Sequence, residues 1–304
     1  MDPSWPGFAA PLVETARNDI YDTISPSHAL AGAAKGLSVL ITGAGHGIGA
    51  AYPRVFAQAG AAKVVLTGRK QDELESLKAQ LETDFEDLEV VAIDADVTKE
   101  ADVEELFEEA GEVHVLINNA GTASAPASIR DSNPSAWKRT HEVNYFGTYL
   151  VTRAYLRQVQ QHDLVNKNLK LAILNTSSVS ATSTSFGLSD YQTSKNAVCR
   201  FTEFCHFETK GDGIRCFAFH PGAIPTDFAK ASIPQEYHFI LSDTAALAAG
   251  FALWLATQPA ADFLRGRYVS ATWDVDQLVA KKQEIEDKDL LWTRVVGQEQ
   301  PMPM

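Results

Sequence analysis

From residue 37 onward, short apolar runs alternate with amphipathic stretches. The run 38–42 is apolar and ends in glycines, the pattern of a buried strand. Ile48, Tyr52, Val55, Phe56 and Ala59 follow at helical spacing and give the next stretch one apolar face. Further runs at 63–67, 89–93, 113–117, 171–175, 214–219 and 268–270 predict strands. Helices are predicted between them over 71–83, 99–109, 133–162 and 190–209, and an almost wholly apolar helix over 243–257. Strand and helix thus alternate at about 25–40-residue spacing, the βαβ pattern of an α/β protein with a doubly wound parallel sheet and helices on both faces.

No linker or internal repeat breaks this pattern, so one domain is expected over 36–272, with a segment of mixed character, 223–242, as its substrate loop. Residues 1–35 are rich in Pro, Ala and Ser and read as an extension packed over, or hanging off, that domain. The tail 273–304 carries Val275, Leu278, Val279, Ile285 and Leu290 at roughly helical spacing, a candidate helix over the core or a partner subunit. Residues 298–304 are expected to be loose. Pro53 falls inside the first helical stretch, where its missing N–H should kink the helix or delay its regular start.

Strand one runs into Thr42-Gly43-Ala44-Gly45-His46-Gly47-Ile48-Gly49. Glycines there let the backbone turn sharply and approach a pyrophosphate, while the next helix turns free N–H groups toward the phosphates. A glycine cluster alone is equally a tight turn; between the first strand and first helix of a βαβ series it points to a dinucleotide. Strand two ends in Thr67-Gly68-Arg69-Lys70, with no carboxylate until Asp72. An arginine there suits the 2′-phosphate of NADP and an acid the 2′-hydroxyl of NAD, so NADP(H) is favoured over NAD(H).

Tyr191 and Lys195 stand one helical turn apart on one face. A phenol titrates near pH ~10 and is a poor proton donor or acceptor at neutrality. An ammonium close by favours the phenolate, so Tyr-x-x-x-Lys can serve as an acid/base pair. Two such residues also occur on ordinary solvated helix faces, and what surrounds them decides.

Charge and cysteines narrow the class. With 26 basic and 39 acidic residues the net charge is −13, which argues against nucleic-acid and anionic-membrane surfaces. Cys199, Cys205 and Cys216 form no Cys-x-x-Cys pair, which fits a reducing, cytoplasmic compartment rather than a disulfide framework. The N-terminus lacks the apolar core of a secretory signal. The longest apolar stretch, 245–256, is too short to span a bilayer. No His/Cys/carboxylate cluster has metal-ligand spacing, so no metal is expected. His141 and His220 are lone histidines, more often structural than catalytic; His220, directly before Pro221-Gly222, is the one placed to meet a substrate.

Taken together these residues resemble the short-chain dehydrogenase/reductase family over about residues 36–270. Thr42-Gly-x-x-x-Gly-Ile-Gly49 is similar to its cofactor turn, Asp96-Val97 to its adenine contact, and Asn118-Asn119-Ala120-Gly121 to its segment beside the cofactor. Asn144, Ser178, Tyr191 and Lys195 resemble its catalytic tetrad, with Ser178 thirteen residues before Tyr191. Pro221-Gly222 with Ile224 and Thr226 resembles its loop over the nicotinamide. The stretch 268–294 is also similar to the tail of filamentous-fungal members tied to secondary metabolism. Two features depart from the pattern: His46 stands where NADP-dependent members carry Lys or Arg, and the N-terminal extension is long.

The resemblance implies a Rossmann fold, a homodimer or homotetramer built through 133–162 and 190–209, and hydride transfer between a dinucleotide and a carbonyl or alcohol. It implies that Tyr191 is the acid or base. Lys195 would lower its pKa and bind the ribose, Ser178 would hold the substrate oxygen, and Asn144 would hold a water linking Lys195 to solvent. Ser177 is expected to point to the other face of its strand end. Ser180, Phe186, His220 and Phe228 are candidate substrate contacts, within a wall formed by 180–190, Ala223, Ile224 and 226–242 that includes Ile233, Tyr237, Phe239 and Ile240. These side chains could equally be core packing; if they line a pocket, the expected substrate is an apolar, bulky small molecule, and the few cations there besides Lys230 argue against a phosphorylated or coenzyme-A one. Two other readings stay open: a similar scaffold doing non-redox work (epimerisation, dehydration, cyclisation), and a dinucleotide-sensing regulator.

Overall fold

The computed structural model describes residues 12–295 except 168 and 234, and among these the apolar runs form one seven-stranded sheet. The strands are β1 (Ser38–Thr42), β2 (Lys63–Gly68), β3 (Glu89–Asp94), β4 (Val115–Asn118), β5 (Ala172–Thr176), β6 (Arg215–His220) and β7 (Tyr268–Ser270). Their order is β3-β2-β1-β4-β5-β6-β7, and every pairing is parallel. The order reverses between β1 and β4, and ligands of such sheets bind outside the carboxyl ends of the strands at that point.

Helices cover both faces, which is why β1, β4 and β5 are apolar without alternation and buried throughout. α1 (Ala51–Gln58), α2 (Gln71–Asp84), α3 (Glu100–Ala110), α4 (Pro134–His141), α5 (Thr148–Gln161) and α6 (Ser189–Thr209) come in chain order. α7 (Asp227–Ser232), α8 (Ala245–Thr257), α9 (Val275–Ala280) and α10 (Lys282–Asp287) follow. Val39 and Ile41 pack toward α1, α2 and α8, while Leu40 packs toward α3 and α5. α8 is apolar on all sides because it lies between the sheet and the N-terminal segment: Gly250 leaves room for Ile24 O, which would stand 2.7 Å from a methyl there.

Pro53 delays the helix rather than kinking it. Regular α1 begins at Ala51, so the missing N–H falls in the first turn, where backbone donors lack helical partners in any case. The stretch 133–162 is not one uniform helix: a π-helical turn, Glu142–Gly147, separates α4 from α5. The tail differs from a single amphipathic helix. It breaks at Lys281 into α9 and α10; Val275 and Leu278 on α9 and Ile285 on α10 are buried, while Val279 lies off the buried face of α9 and is exposed. Described residues from 12 to 35 are packed on the domain. Ala16 bridges Trp273, Arg17 pairs with Asp274 at 2.6 Å, and the Tyr21 hydroxyl accepts from Val275 N. Residues 298–304 lie outside the described residues.

Candidate active site

The glycine turn leaves β1 beside the end of β4. Gly43 has φ +66°, and a methyl there would sit 3.0 Å from Ala120 Cα; one on Gly49 would lie 2.0 Å from Gly43 O. Only glycine lets these backbone segments approach so closely. Asn119 fastens the two: its N–H donates to Thr42 Oγ1 (3.0 Å) and its amide to Thr42 O (3.1 Å), and Ala120 N–H donates to the same Thr42 hydroxyl. From the far side, the Thr226 methyl stands 3.3 Å from where a Gly47 side chain would be, so the loop after β6 lies against the glycine turn. The narrow backbone cradle, followed by a helix start, fits a dinucleotide pyrophosphate.

Asp96 and Val97 follow β3. Val97 is buried, and the Asp96 carboxylate accepts from Thr98 N, Thr98 Oγ1 (2.7 Å) and Arg139 (3.0 Å). Burial opposes ionisation of Asp96, but the Thr98 hydrogen bonds and the Arg139 guanidinium outweigh it and hold the carboxyl down at about 2. After β6, Pro221 and Ile224 are buried, and Gly222 (φ +112°) is pressed against Asp243, whose carboxylate accepts from Ala223 N at 2.6 Å.

The tetrad residues converge beyond the ends of β4 and β5. Asn144 lies in the π-helical turn, fully buried; Oδ1 accepts from Thr122 N (2.7 Å) while Nδ2 donates to Thr122 O (2.8 Å) and Ser194 Oγ (3.0 Å). Such turns occur often at functional sites because the extra residue redirects side chains. Lys195 is buried, its Nζ donating to Thr176 O at 2.8 Å. A methyl on Gly121 would stand 3.5 Å from both Asn144 Oδ1 and Lys195 Nζ, so these three face one small space. Ser178 Oγ accepts from Ser180 N, and the Ser178 hydroxyl also stands beside the Tyr191 phenol. Ser177 points the other way, to Lys195 O and Cys199 Sγ.

Tyr191 corrects one expectation. Its phenol is pushed up from the usual value, not down: burial raises it, and Ser178 opposes only part of the rise. Lys195 lies 5.8 Å from the ring centroid and aims its ammonium at Thr176 O. Burial also weakens that cation, pulling the Lys195 pKa down to about 8.

The candidate substrate contacts separate. Phe228, on α7, faces the Tyr191 ring with centroids 5.8 Å apart. Ser180 is partly buried beside Ser178. His220 is half-buried, but its Nδ1 is enclosed and unpartnered among the described residues, and loss of solvent pulls it down to about 4, a neutral ring. Phe186 is 87% exposed at a loop tip and makes no ring contact with Tyr191 among the described residues; Gly187 beside it docks on Ala127 and leaves the phenyl outside. Asp190 does not line the wall at all: it is buried, accepting from Ser124 N (2.9 Å) and Thr140 Oγ1 (2.7 Å).

Two acids escaped the sequence reading. Asp190 carries no motif; only its place before Tyr191 hinted at it. Glu73, four residues beyond Arg69, folds back over the glycine turn to meet His46 Nδ1 at 3.1 Å and Lys70 Nζ at 2.6 Å. Arg69 is exposed and makes no ion pair among the described residues. Among the described residues no group of three or more His, Cys, Asp or Glu could hold a metal, and no helix is long and apolar enough to cross a membrane.

Comparison with known proteins supplies the context. The family model for short chain dehydrogenases matches residues 38–237. The short chain dehydrogenase citE of Monascus ruber is 36% identical over 291 residues, covering 93% of this chain and 96% of that one. The short chain dehydrogenase pigC of the same organism is 32% identical over 295 residues, 94% of each. Among solved structures, a 3-ketoacyl-(acyl-carrier-protein) reductase from Brucella melitensis complexed with NADH superposes with a TM-score of 0.70 at 28% identity. The superposition covers 78% of this chain and 96% of that one.

Proposed function

The chain belongs to the short-chain dehydrogenase family and is an oxidoreductase of it; on that premise we propose that it interconverts a carbonyl and an alcohol on an apolar, bulky small molecule with NADP(H). The observation that carries this reading is the convergence of Tyr191, Ser178 and Lys195 outside the carboxyl end of β5, with Asn144 behind them. The dinucleotide, when bound, supplies or takes the hydride. Gly43 to Gly49, Arg69, Asp96, Val97, Asn119 to Gly121, and the loop Pro221 to Thr226 would hold it.

Tyr191 donates its proton to the carbonyl oxygen in reduction and removes it in oxidation. Ser178 hydrogen-bonds that oxygen as charge develops on it. Lys195, turned from Thr176 O toward a ribose, brings its positive charge to the phenol and draws its pKa back down. Asn144 Oδ1 has a lone pair left after Thr122 and faces the same space as Lys195 Nζ, a position for a water that returns protons to the lysine.

Phe228 against Tyr191, with exposed Val179, Phe239 and Ile240, supports an apolar substrate. The exposed aromatics Tyr145, Phe146, Tyr149, Phe204 and Phe207, on the α4–α5 stretch and on α6, support a homo-oligomer through those helices. Three buried, free cysteines suit a cytoplasmic setting. The fungal relatives and the tail together support a role in secondary metabolism. Residues 12–35 of the extension and 273–295 of the tail are read as parts of the same unit as 36–272.

The test is oxidation of NADPH against a panel of apolar ketones, wild type beside Tyr191→Phe. Turnover by the wild type and a loss of about 100-fold or more in the variant are expected. Full turnover by Tyr191→Phe would defeat the mechanism. NADPH binding with no turnover of any ketone would favour the non-redox or sensing readings.

A further inference from the structure

Glu73 stands in the first turn of α2, yet its side chain leaves that helix and leans over the glycine turn. A methyl on Gly45 would meet Glu73 Cβ at 3.0 Å and Oε2 at 3.1 Å. The two carboxylate oxygens are divided between two basic side chains from different elements. Oε1 accepts from Lys70 Nζ at 2.6 Å, at the end of β2, and Oε2 faces His46 Nδ1 at 3.1 Å, in the turn itself. Of the three basic side chains at this lip, two are thus engaged by one acid, and Arg69 is not.

We propose that Glu73 is a specificity-determining residue of the dinucleotide cleft, holding Lys70 and His46 so that a 2′-phosphate on the ribose is bound less tightly than the basic lip alone would bind it. The inference rests on dinucleotide binding at the glycine turn. A phosphate entering between His46 and Arg69 meets a carboxylate of its own sign and must compete with it for Lys70 and for the His46 ring. A 2′-hydroxyl carries no charge and is indifferent to that competition. The Lys70 hydrogen bond, then the His46 charge, holds the Glu73 carboxyl below its usual range, so it is anionic throughout the neutral region. The pairs are solvent-exposed, so the effect is a tuning of preference and not an absolute switch.

The test is the dissociation constant for NADPH and for NADH, read by tryptophan fluorescence or calorimetry, in wild type, Glu73→Gln and Arg69→Gln. Glu73→Gln is expected to tighten NADPH about fivefold and to leave NADH within about twofold, with the gain shrinking as salt rises from about 0.05 to about 0.5 M. Arg69→Gln is expected to weaken NADPH alone. An unchanged NADPH-to-NADH ratio in Glu73→Gln, while both dinucleotides bind, overturns the role of Glu73 and leaves the dinucleotide reading standing. Loss of NADH affinity in Glu73→Gln also overturns it, because the carboxylate would then be reading the ribose hydroxyl directly. Binding of neither dinucleotide by the wild type overturns both.

Discussion

The floor of the cleft and its rim are built by opposite rules. On the floor, Asn144, Asp190 and Lys195 are almost fully buried, and each has named hydrogen-bond partners on a different element. At the rim, α7 and the turn Gln235–Ile240 bury no residue, and Phe239 is 77% exposed. Groups that move protons need fixed geometry, because a small displacement of a donor costs rate steeply. Groups that select an apolar substrate need only surface, and the rim offers aromatic surface with few directional bonds. On the proposed function, chemistry would therefore sit where the fold is most constrained and selection where it is least.

The sharpest way to break this contrast is on the floor. Lys195→Met should lower turnover about 100-fold or more while raising stability near neutral pH. The sign follows from the folded pKa of about 8, below the ordinary lysine value of 10.5 because of burial. Between those values the unfolded chain binds the proton and the folded chain does not, so stability rises with pH across that window. Below about pH 8 the wild type carries the full cost of keeping the buried amine protonated, of the order of 3 kcal/mol. Thermal melts at pH 7 should show the variant a few degrees more stable, and the gap should close toward pH 10. A variant less stable at both pH values would mean that the lysine serves the fold rather than the chemistry.

A smaller effect is expected at Asp190, which joins the floor without touching the reacting atoms. Its carboxylate ties the Thr122–Ser124 loop and α4 to the residue before Tyr191. Asp190→Ala leaves the half-buried Ser124 N–H without its acceptor and the Thr140 hydroxyl with Ala136 O alone, which should cost about 1–2 kcal/mol and lower kcat roughly tenfold. Asp190→Asn keeps an oxygen that can accept from both and should recover most of each loss. Denaturant melts and steady-state kinetics on the three proteins check this; an Asn variant no better than Ala would show that charge, not position, matters.

This division also explains what could be read from the chain. β1 and β7 coincide with their predicted runs, since parallel strands buried on both faces read as continuous apolar segments. The glycine turn and the Tyr191–Lys195 spacing were equally legible, because local backbone geometry and one helical repeat dictate them, whereas Ser178 was picked out only by the resemblance to the family. The π-helical turn around Asn144 left no such trace: 133–162 has ordinary helical periodicity, and the insertion shows only in three dimensions. Asp190 and Glu73 were hidden for a related reason. Each acts through partners far off in sequence, Asp190 with Thr140 and Glu73 with His46, and no periodicity records such pairings. The rise in the Tyr191 pKa was missed because spacing reports the nearness of Lys195 but not the burial that overrides it.

The rim supplies the mildest test. Among the described residues Phe228 is its one aromatic in ring contact with Tyr191, at 5.8 Å, whereas Phe239 stands away in solvent. Phe228→Ala should raise KM for an apolar ketone about three- to tenfold, the worth of a partly buried aromatic contact, with kcat within about twofold. Phe239→Ala should move KM by less than about twofold, and neither change should shift the melting temperature by more than about 1 °C, since both side chains are exposed and outside the core. The comparison of the two variants matters more than either alone. If both raise KM equally, the rim closes over substrate as a unit, and its exposed aromatics acquire their partner only on binding. If Phe228→Ala lowers kcat and leaves KM alone, then Phe228 belongs to the floor: it would be positioning the Tyr191 ring, and the boundary between fixed chemistry and adaptable surface would run outside α7.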